Sequence, residues 1–136
     1  MKTKKKVGIA LLALFAVTFI SGILLYLKSF GIVIQPRSVL KIVHWVLGYG
    51  MAVLFFVHRK QFSAMLVALR QTSKWFYLDT WLLILLFMVT FLSGTVKLLS
   101  PVRIPYLGLW HLYLGIAMSV AAIFHLFRGL PALLRR

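Results

Sequence analysis

Residues 44–58 read HWVLGYGMAVLFFVH and residues 111–125 read HLYLGIAMSVAAIFH. Each is an apolar run closed at both ends by a histidine, with Leu-Gly three and four residues after the first histidine and Met three residues later still. These stretches decide the fold. Neither contains an acid or a base other than its histidines, and each extends into a longer apolar segment of helical length. A run of about 20 apolar residues, rising 1.5 Å per residue, spans a hydrocarbon core of about 30 Å. Two further segments meet the same condition. The predicted transmembrane helices are Val7–Leu27, Val39–His58, Asp79–Leu99 and Tyr106–His125, the last continuing to about residue 128. The short connections carry Pro36, Pro101 and Pro105 and make sequence neighbours antiparallel. The expected fold is all-α: an up-down-up-down transmembrane four-helix bundle forming a single domain over residues 1–136.

Composition agrees with this class. The chain is 62% hydrophobic and 12% charged, against roughly a quarter charged in soluble domains. Sixteen Lys and Arg against one acid give a formal charge of +15. Nucleic acid is the first partner such a charge suggests, but the basic residues sit at the ends of apolar runs, which argues for membrane lipid and against nucleic acid. Eleven cations (Lys2, Lys4, Lys5, Lys6, Arg59, Lys60, Arg70, Lys74, Arg128, Arg135 and Arg136) fall on one side, and five (Lys28, Arg37, Lys41, Lys97 and Arg103) on the other. The positive-inside rule then puts both termini in the cytoplasm of a bacterial inner-membrane protein. Trp45, Trp75, Trp81 and Trp110 fall near the predicted interfaces, as an aromatic belt would. The start MKTKKK resembles a signal peptide, but its 21-residue apolar run exceeds a signal h-region and no small-x-small site follows, so it is read as a membrane span. Phe62, Met65, Leu66 and Leu69 recur at helical spacing in the loop Gln61–Ser73, which reads as a short helix on the inner surface.

The chain carries an internal repeat. Thr18-Phe19-Ile20-Ser21-Gly22 matches Thr90-Phe91-Leu92-Ser93-Gly94, and His44-x-x-Leu47-Gly48-x-x-Met51 matches His111-x-x-Leu114-Gly115-x-x-Met118. The pattern is that of a duplicated helical hairpin, each copy offering the same groups at the same depths.

All four histidines belong to this pattern. His44 and His58 are 14 residues apart on the second helix, and His111 and His125 are 14 apart on the fourth. Fourteen steps of about 100° fall about 40° short of four turns, so each pair shares a face, about 21 Å apart along the axis. The second and fourth helices run in the same direction, which sets His44 level with His111 and His58 level with His125. An intramembrane histidine can simply bond neighbouring helices or relay protons. Two identical spacings at matched depths fit another chemistry: paired axial ligands for two stacked haem irons. With no cysteine, thiolate centres and covalent haem attachment are excluded, so these would be two non-covalent haems b.

Small residues recur at the same two levels. Gly22 and Gly94 match His44 and His111; Gly8 and Thr80, 14 residues away, match His58 and His125. Close helix packing is one explanation, and clearance for a wide macrocycle is the other. Gly48 and Gly115, four residues after the outer histidines, would admit the edge of the same group. Met51 and Met118, a seven-residue step from either level, read as apolar filler. Arg37, Lys41 and Arg103 are candidate partners for outer propionates, and Arg59, Lys60 and Arg128 for inner ones, with ordinary flanking charge as the alternative. Asp79, the only acid, is expected at the start of the third helix, favoured by the helix dipole and paired with a Lys or Arg; protonation of a quinone is another possible role. Ser21 and Ser93 have two options, a bond to their own helix or one to a ligand histidine, and the sequence does not choose.

These paired H-x13-H motifs on alternate helices resemble the haem-binding four-helix core of respiratory cytochrome b. The chain is also similar to small bacterial di-haem cytochromes b related to the membrane subunits of formate dehydrogenases and hydrogenases. The resemblance covers Val7 to Arg128. It implies that His44 with His111 holds an outer haem and His58 with His125 an inner one, and that the protein relays electrons between quinone and a partner redox protein, alone or within a larger respiratory complex. The sequence departs from respiratory cytochrome b in carrying no later helices and no recognisable quinol-oxidising motif, which argues against a Q-cycle, and in Thr80, which breaks the glycine pattern. Transmembrane electron transfer is the expected function. A quinone-linked oxidoreductase acting on quinol or superoxide ranks second, because no convergent acid–base set exists beyond Asp79. A non-redox membrane subunit or metal-ion carrier ranks third.

Overall fold

The computed structural model describes the backbone of residues 2–63, 67 and 74–134. Among these residues the protein is all-helical, with no strand and four long α-helices: α1 (Lys2–Tyr26), α2 (Arg37–Gln61), α3 (Lys74–Leu99) and α4 (Leu107–Leu134). A 3-10 turn, Leu27–Phe30, follows α1. Each helix contains a segment long and apolar enough to cross a membrane: Lys6–Phe30, Arg37–Gln61, Tyr77–Leu99 and Leu107–Arg128. The chain is consistent with a multi-pass membrane protein.

The helices outrun the expected spans at several ends. Hydropathy marks where apolar side chains stop; helical hydrogen bonding continues through Lys and Arg, which are good helix formers. So α1 begins at Lys2, α2 runs on to Gln61, and α3 starts at Lys74, five residues before Asp79. Asp79 is therefore not in the first turn of α3, which holds no acid, and the expected dipole interaction does not apply to it. Of the surface helix expected in Gln61–Ser73, Gln61 belongs to α2, while Met65, Leu66 and Leu69 lie outside the described residues.

The helix ends have local causes. Gly31, at φ 81°, closes α1 and its 3-10 turn in a Schellman arrangement: its N–H donates to Lys28 O at 3.0 Å and that of Ile32 to Leu27 O at 3.1 Å. Pro36 precedes α2 and offers its carbonyl to Leu40 N at 3.2 Å. After α3, Ser100 Oγ donates to Val102 O at 2.7 Å, beside Pro101. Tyr106, at φ 59°, turns the chain into α4, and its carbonyl accepts the N–H groups of Leu109 and Trp110, each at 2.9 Å.

The chain forms two compact units, Met1–Ser63 and Ala64–Arg136. In the first, α1 packs against α2; in the second, α3 packs against α4. Within the first unit the C-terminal part of α1 meets the N-terminal part of α2, as the Gly22–His44 contact shows. The second unit pairs Gly94 with His111 at one end and Asp79 with His125 at the other. Helices within each unit thus run in opposite directions. Buried positions are few: Met51 and Ala52 with Thr18 and Ser21 in the first unit, and Phe87, Met118 and Ala121 with Thr90 and Ser119 in the second. Most of the remaining apolar side chains are exposed, and so are all four tryptophans, an outward apolar surface suited to lipid or further helices.

Candidate functional site

Each unit builds the same arrangement around its first histidine. In the first, His44 Nδ1 lies 2.9 Å from Thr18 O and 3.1 Å from Ser21 Oγ. Ser21 Oγ in turn donates to Thr18 O at 2.9 Å. In the second, His111 Nδ1 lies 3.1 Å from Thr90 O and 3.0 Å from Ser93 Oγ, and Ser93 Oγ donates to Thr90 O at 2.8 Å. The serine thus takes both options open to it in the sequence.

This geometry fixes the imidazole chemistry. A carbonyl oxygen can only accept, so Nδ1 must carry the proton and share it between the threonine carbonyl and the serine hydroxyl. In the neutral ring the lone pair then resides on Nε2. An N–H held by a carbonyl or carboxylate, with the opposite nitrogen left basic, is the usual state of a metal-binding histidine.

The glycine of each Thr-x-x-Ser-Gly motif serves the ring. A Cβ on Gly22 would lie 2.9 Å from His44 Cε1, and one on Gly94 would lie 2.8 Å from His111 Cε1. Both are below any ordinary carbon–carbon contact. The sequence points to these glycines as clearance for a macrocycle; what they face in the structure is the imidazole of their own unit. The other small residues differ. An added Cβ on Gly8 or Gly115 meets nothing within 4 Å, and one on Gly48 meets only Thr18 Cγ2, at 3.9 Å. Thr80 is half-buried next to Asp79. The side-chain hydroxyls of Thr18 and Thr90 are buried without a hydrogen-bond partner, at matched positions.

The second histidines have unlike surroundings. His58 is half-buried, its ring 4.7 Å from that of Phe62 at a 40° tilt. His125 Nδ1 lies 3.4 Å from Asp79 Oδ2, with side chains 29% and 13% exposed respectively. That separation is an ion-pair distance without hydrogen-bond alignment. Asp79 therefore meets a histidine, where a Lys or Arg was expected. A base within a few ångströms across a helix pair leaves no mark in the sequence, which is why Asp79 was missed as part of a histidine site.

Arg37 N donates to Gln35 Oε1 at 3.4 Å, and Lys41, Arg59 and Lys60 are exposed. Arg103 lines a cleft at the α3–α4 connection with Lys97, Ser100 and Tyr106. Arg128 Nη1 donates to Trp75 O at 3.4 Å. Among the described residues, no three of His, Asp or Glu converge as a cage for a bare metal ion.

Comparison with known proteins gives no match to a family model, a curated protein or a solved structure.

Proposed function

We propose that this protein is a di-haem membrane cytochrome b that transfers electrons across the bacterial inner membrane. In this reading, the two units are copies of one helical hairpin in an up-down-up-down bundle, with both termini cytoplasmic. His44 with His111 would ligate an outer haem, and His58 with His125 an inner one. The observation that carries the reading is the Nδ1–H···O=C bond made by both outer histidines at corresponding places in the two units. It leaves each Nε2 basic on a ring backed by glycine, the donor a haem iron takes from a protein.

The donor set fits the group. A porphyrin supplies four of the iron's six ligands, so the protein need offer only two imidazoles per iron and no cage of three or more. A metal-ion carrier would need such a cage, and the described residues contain none. Bound haem would supply a one-electron iron couple. The chain's own tasks are to orient the imidazoles, hold the Nδ1 protons on Thr18 O and Thr90 O, and keep water from the site with buried Met51 and Met118. Two levels about 21 Å apart on one helix give a path through most of an apolar core of about 30 Å. Arg37, Lys41, Arg103, Arg59 and Arg128 are the cations available to propionates, and quinone or a second redox protein is the exchange partner.

The test is a reduced-minus-oxidised absorption spectrum of the purified protein with haem quantified per chain. Two b-type haems are expected. A colourless protein that takes up no haem on reconstitution overturns the reading. Turnover of quinol or superoxide by the isolated protein would make it an oxidoreductase on the same scaffold.

A further inference from the structure

We propose that Asp79 acts on His125 as a positioning residue, making the inner metal site electronically unlike the outer one; this rests on the haem reading above. Asp79 is the only acid in 136 residues, yet it lies inside an apolar span, Tyr77–Leu99, with its side chain 13% exposed. A carboxylate in such a place is costly unless it meets a partner, and intramembrane acids generally mark function. The partner it meets is His125 Nδ1, 3.4 Å away. Arg128, the cation within one turn of His125, donates instead to the Trp75 carbonyl.

The contrast with the other unit sharpens the point. Asp79 stands 11 residues before Thr90 of the Thr-x-x-Ser-Gly motif; the residue 11 before Thr18 is Val7. The ring of His58 lies 4.7 Å from that of Phe62. His44 and His111 hold their Nδ1 protons on neutral carbonyl oxygens, and His125 Nδ1 faces a carboxylate. At 3.4 Å the pair is one small side-chain adjustment from a charge-assisted hydrogen bond, which falls near 2.7–2.9 Å. A carboxylate accepting the Nδ1 proton makes the opposite nitrogen a stronger donor. Its negative charge also favours the more positive, oxidised iron. Both effects would lower the potential of the centre that His125 would ligate, relative to the same centre without the carboxylate.

The experiment is an equilibrium redox titration of the haem-loaded protein at one fixed pH, followed in the visible bands, for the wild type, Asp79→Asn and Asp79→Glu. The wild type is expected to titrate in two one-electron steps. Asp79→Asn should raise one midpoint and leave the other in place, and Asp79→Glu should return the raised midpoint toward wild type. Unchanged midpoints in Asp79→Asn, with both haems present, overturn this inference and leave the di-haem reading standing. A wild-type protein that binds no haem removes the di-haem reading itself. Should Asp79→Asn fail to assemble, low-temperature electron paramagnetic resonance of the oxidised wild type decides: two distinct low-spin signals, one with the stronger axial field of an imidazolate-like ligand, support the inference, and equivalent axial fields refute it.

Discussion

Replacing Gly94 by alanine tests the outer site where the structure is tightest. The new methyl would lie 2.8 Å from His111 Cε1. To restore a carbon–carbon separation of about 3.5 Å, the ring must retreat about 0.7 Å. The ring is not loose: its Nδ1 is bonded to Thr90 O at 3.1 Å and Ser93 Oγ at 3.0 Å, and a retreat of that size strains both bonds. Overpacking of this kind costs about 1–3 kcal/mol. Alanine regains about 1 kcal/mol of helix propensity over glycine. Net stability should therefore fall by only about 0–2 kcal/mol, from the difference of those two ranges. Metal binding should suffer more, because ligand positions tolerate only about 0.2 Å. Gly94→Ala, and Gly22→Ala with its 2.9 Å contact, are expected to lose the outer haem while the helices remain. Gly50→Ala, whose new methyl would lie 3.7 Å from Leu14 Cδ1, an ordinary contact, serves as the control. The assay is haem per chain from the pyridine haemochrome, alongside far-ultraviolet circular dichroism and thermal unfolding in detergent. If Gly94→Ala binds as much haem as Gly50→Ala and keeps the wild-type spectrum, the argument from ring clearance is wrong.

Other expectations follow from the same contacts. His44→Ala and His111→Ala should each remove one haem, the same one by spectrum and midpoint, leaving the second titrating normally; loss of different haems in the two variants would refute the pairing of levels. Ser93→Ala should keep haem, since Thr90 O still holds the Nδ1 proton, and should lower stability by about 0.5–1.5 kcal/mol, measured by denaturant titration; complete loss of haem would show that the serine, and not the carbonyl, orients the ring. Gly31→Ala places a side chain at φ 81° and should destabilise the end of α1 by about 1–2 kcal/mol without altering the haem spectrum. Single cysteines at Lys2 and Arg103, labelled with an impermeant maleimide on intact cells, should react only at Arg103; labelling at Lys2 alone would invert the orientation.

The spans were legible because a membrane core imposes length and apolarity together, and little else in a sequence produces four such runs. The four histidines stood out for a similar reason: 14 residues is nearly a whole number of turns, so a shared face can be computed. Asp79 was harder to place. Hydropathy put it at the beginning of a helix, but Lys74 and Trp75 extend that helix backward, and the dipole argument disappears with the extra turn. Its true neighbour lies across the helix pair, 46 residues on, at a separation that only coordinates resolve. The glycines were legible in depth and illegible in direction. Position along a helix said that Gly22 and Gly94 share a level with histidines; it did not say that each touches the histidine of its own unit.

That last distinction changes what the repeat means physically. A glycine, a serine and a threonine carbonyl on one helix, and a histidine on the next, form a self-contained bracket within one unit. The bracket sets the ring's rotamer, tautomer and position by contacts only 18 to 26 residues apart in sequence. Such local contacts can form as soon as the two helices meet, before any group enters. A ligand ordered in this way has already lost its side-chain freedom, so binding a metal costs less conformational entropy than it would for a mobile ring. The second histidines meet different groups: the ring of His58 lies against Phe62, and His125 against Asp79. In the di-haem reading the outer ligands are therefore preorganised. Haem titrated into the apoprotein in detergent should fill the outer level in a fast phase, and His58→Ala should slow that phase far less than His44→Ala. Equal slowing by the two variants would mean that the bracket contributes nothing to assembly.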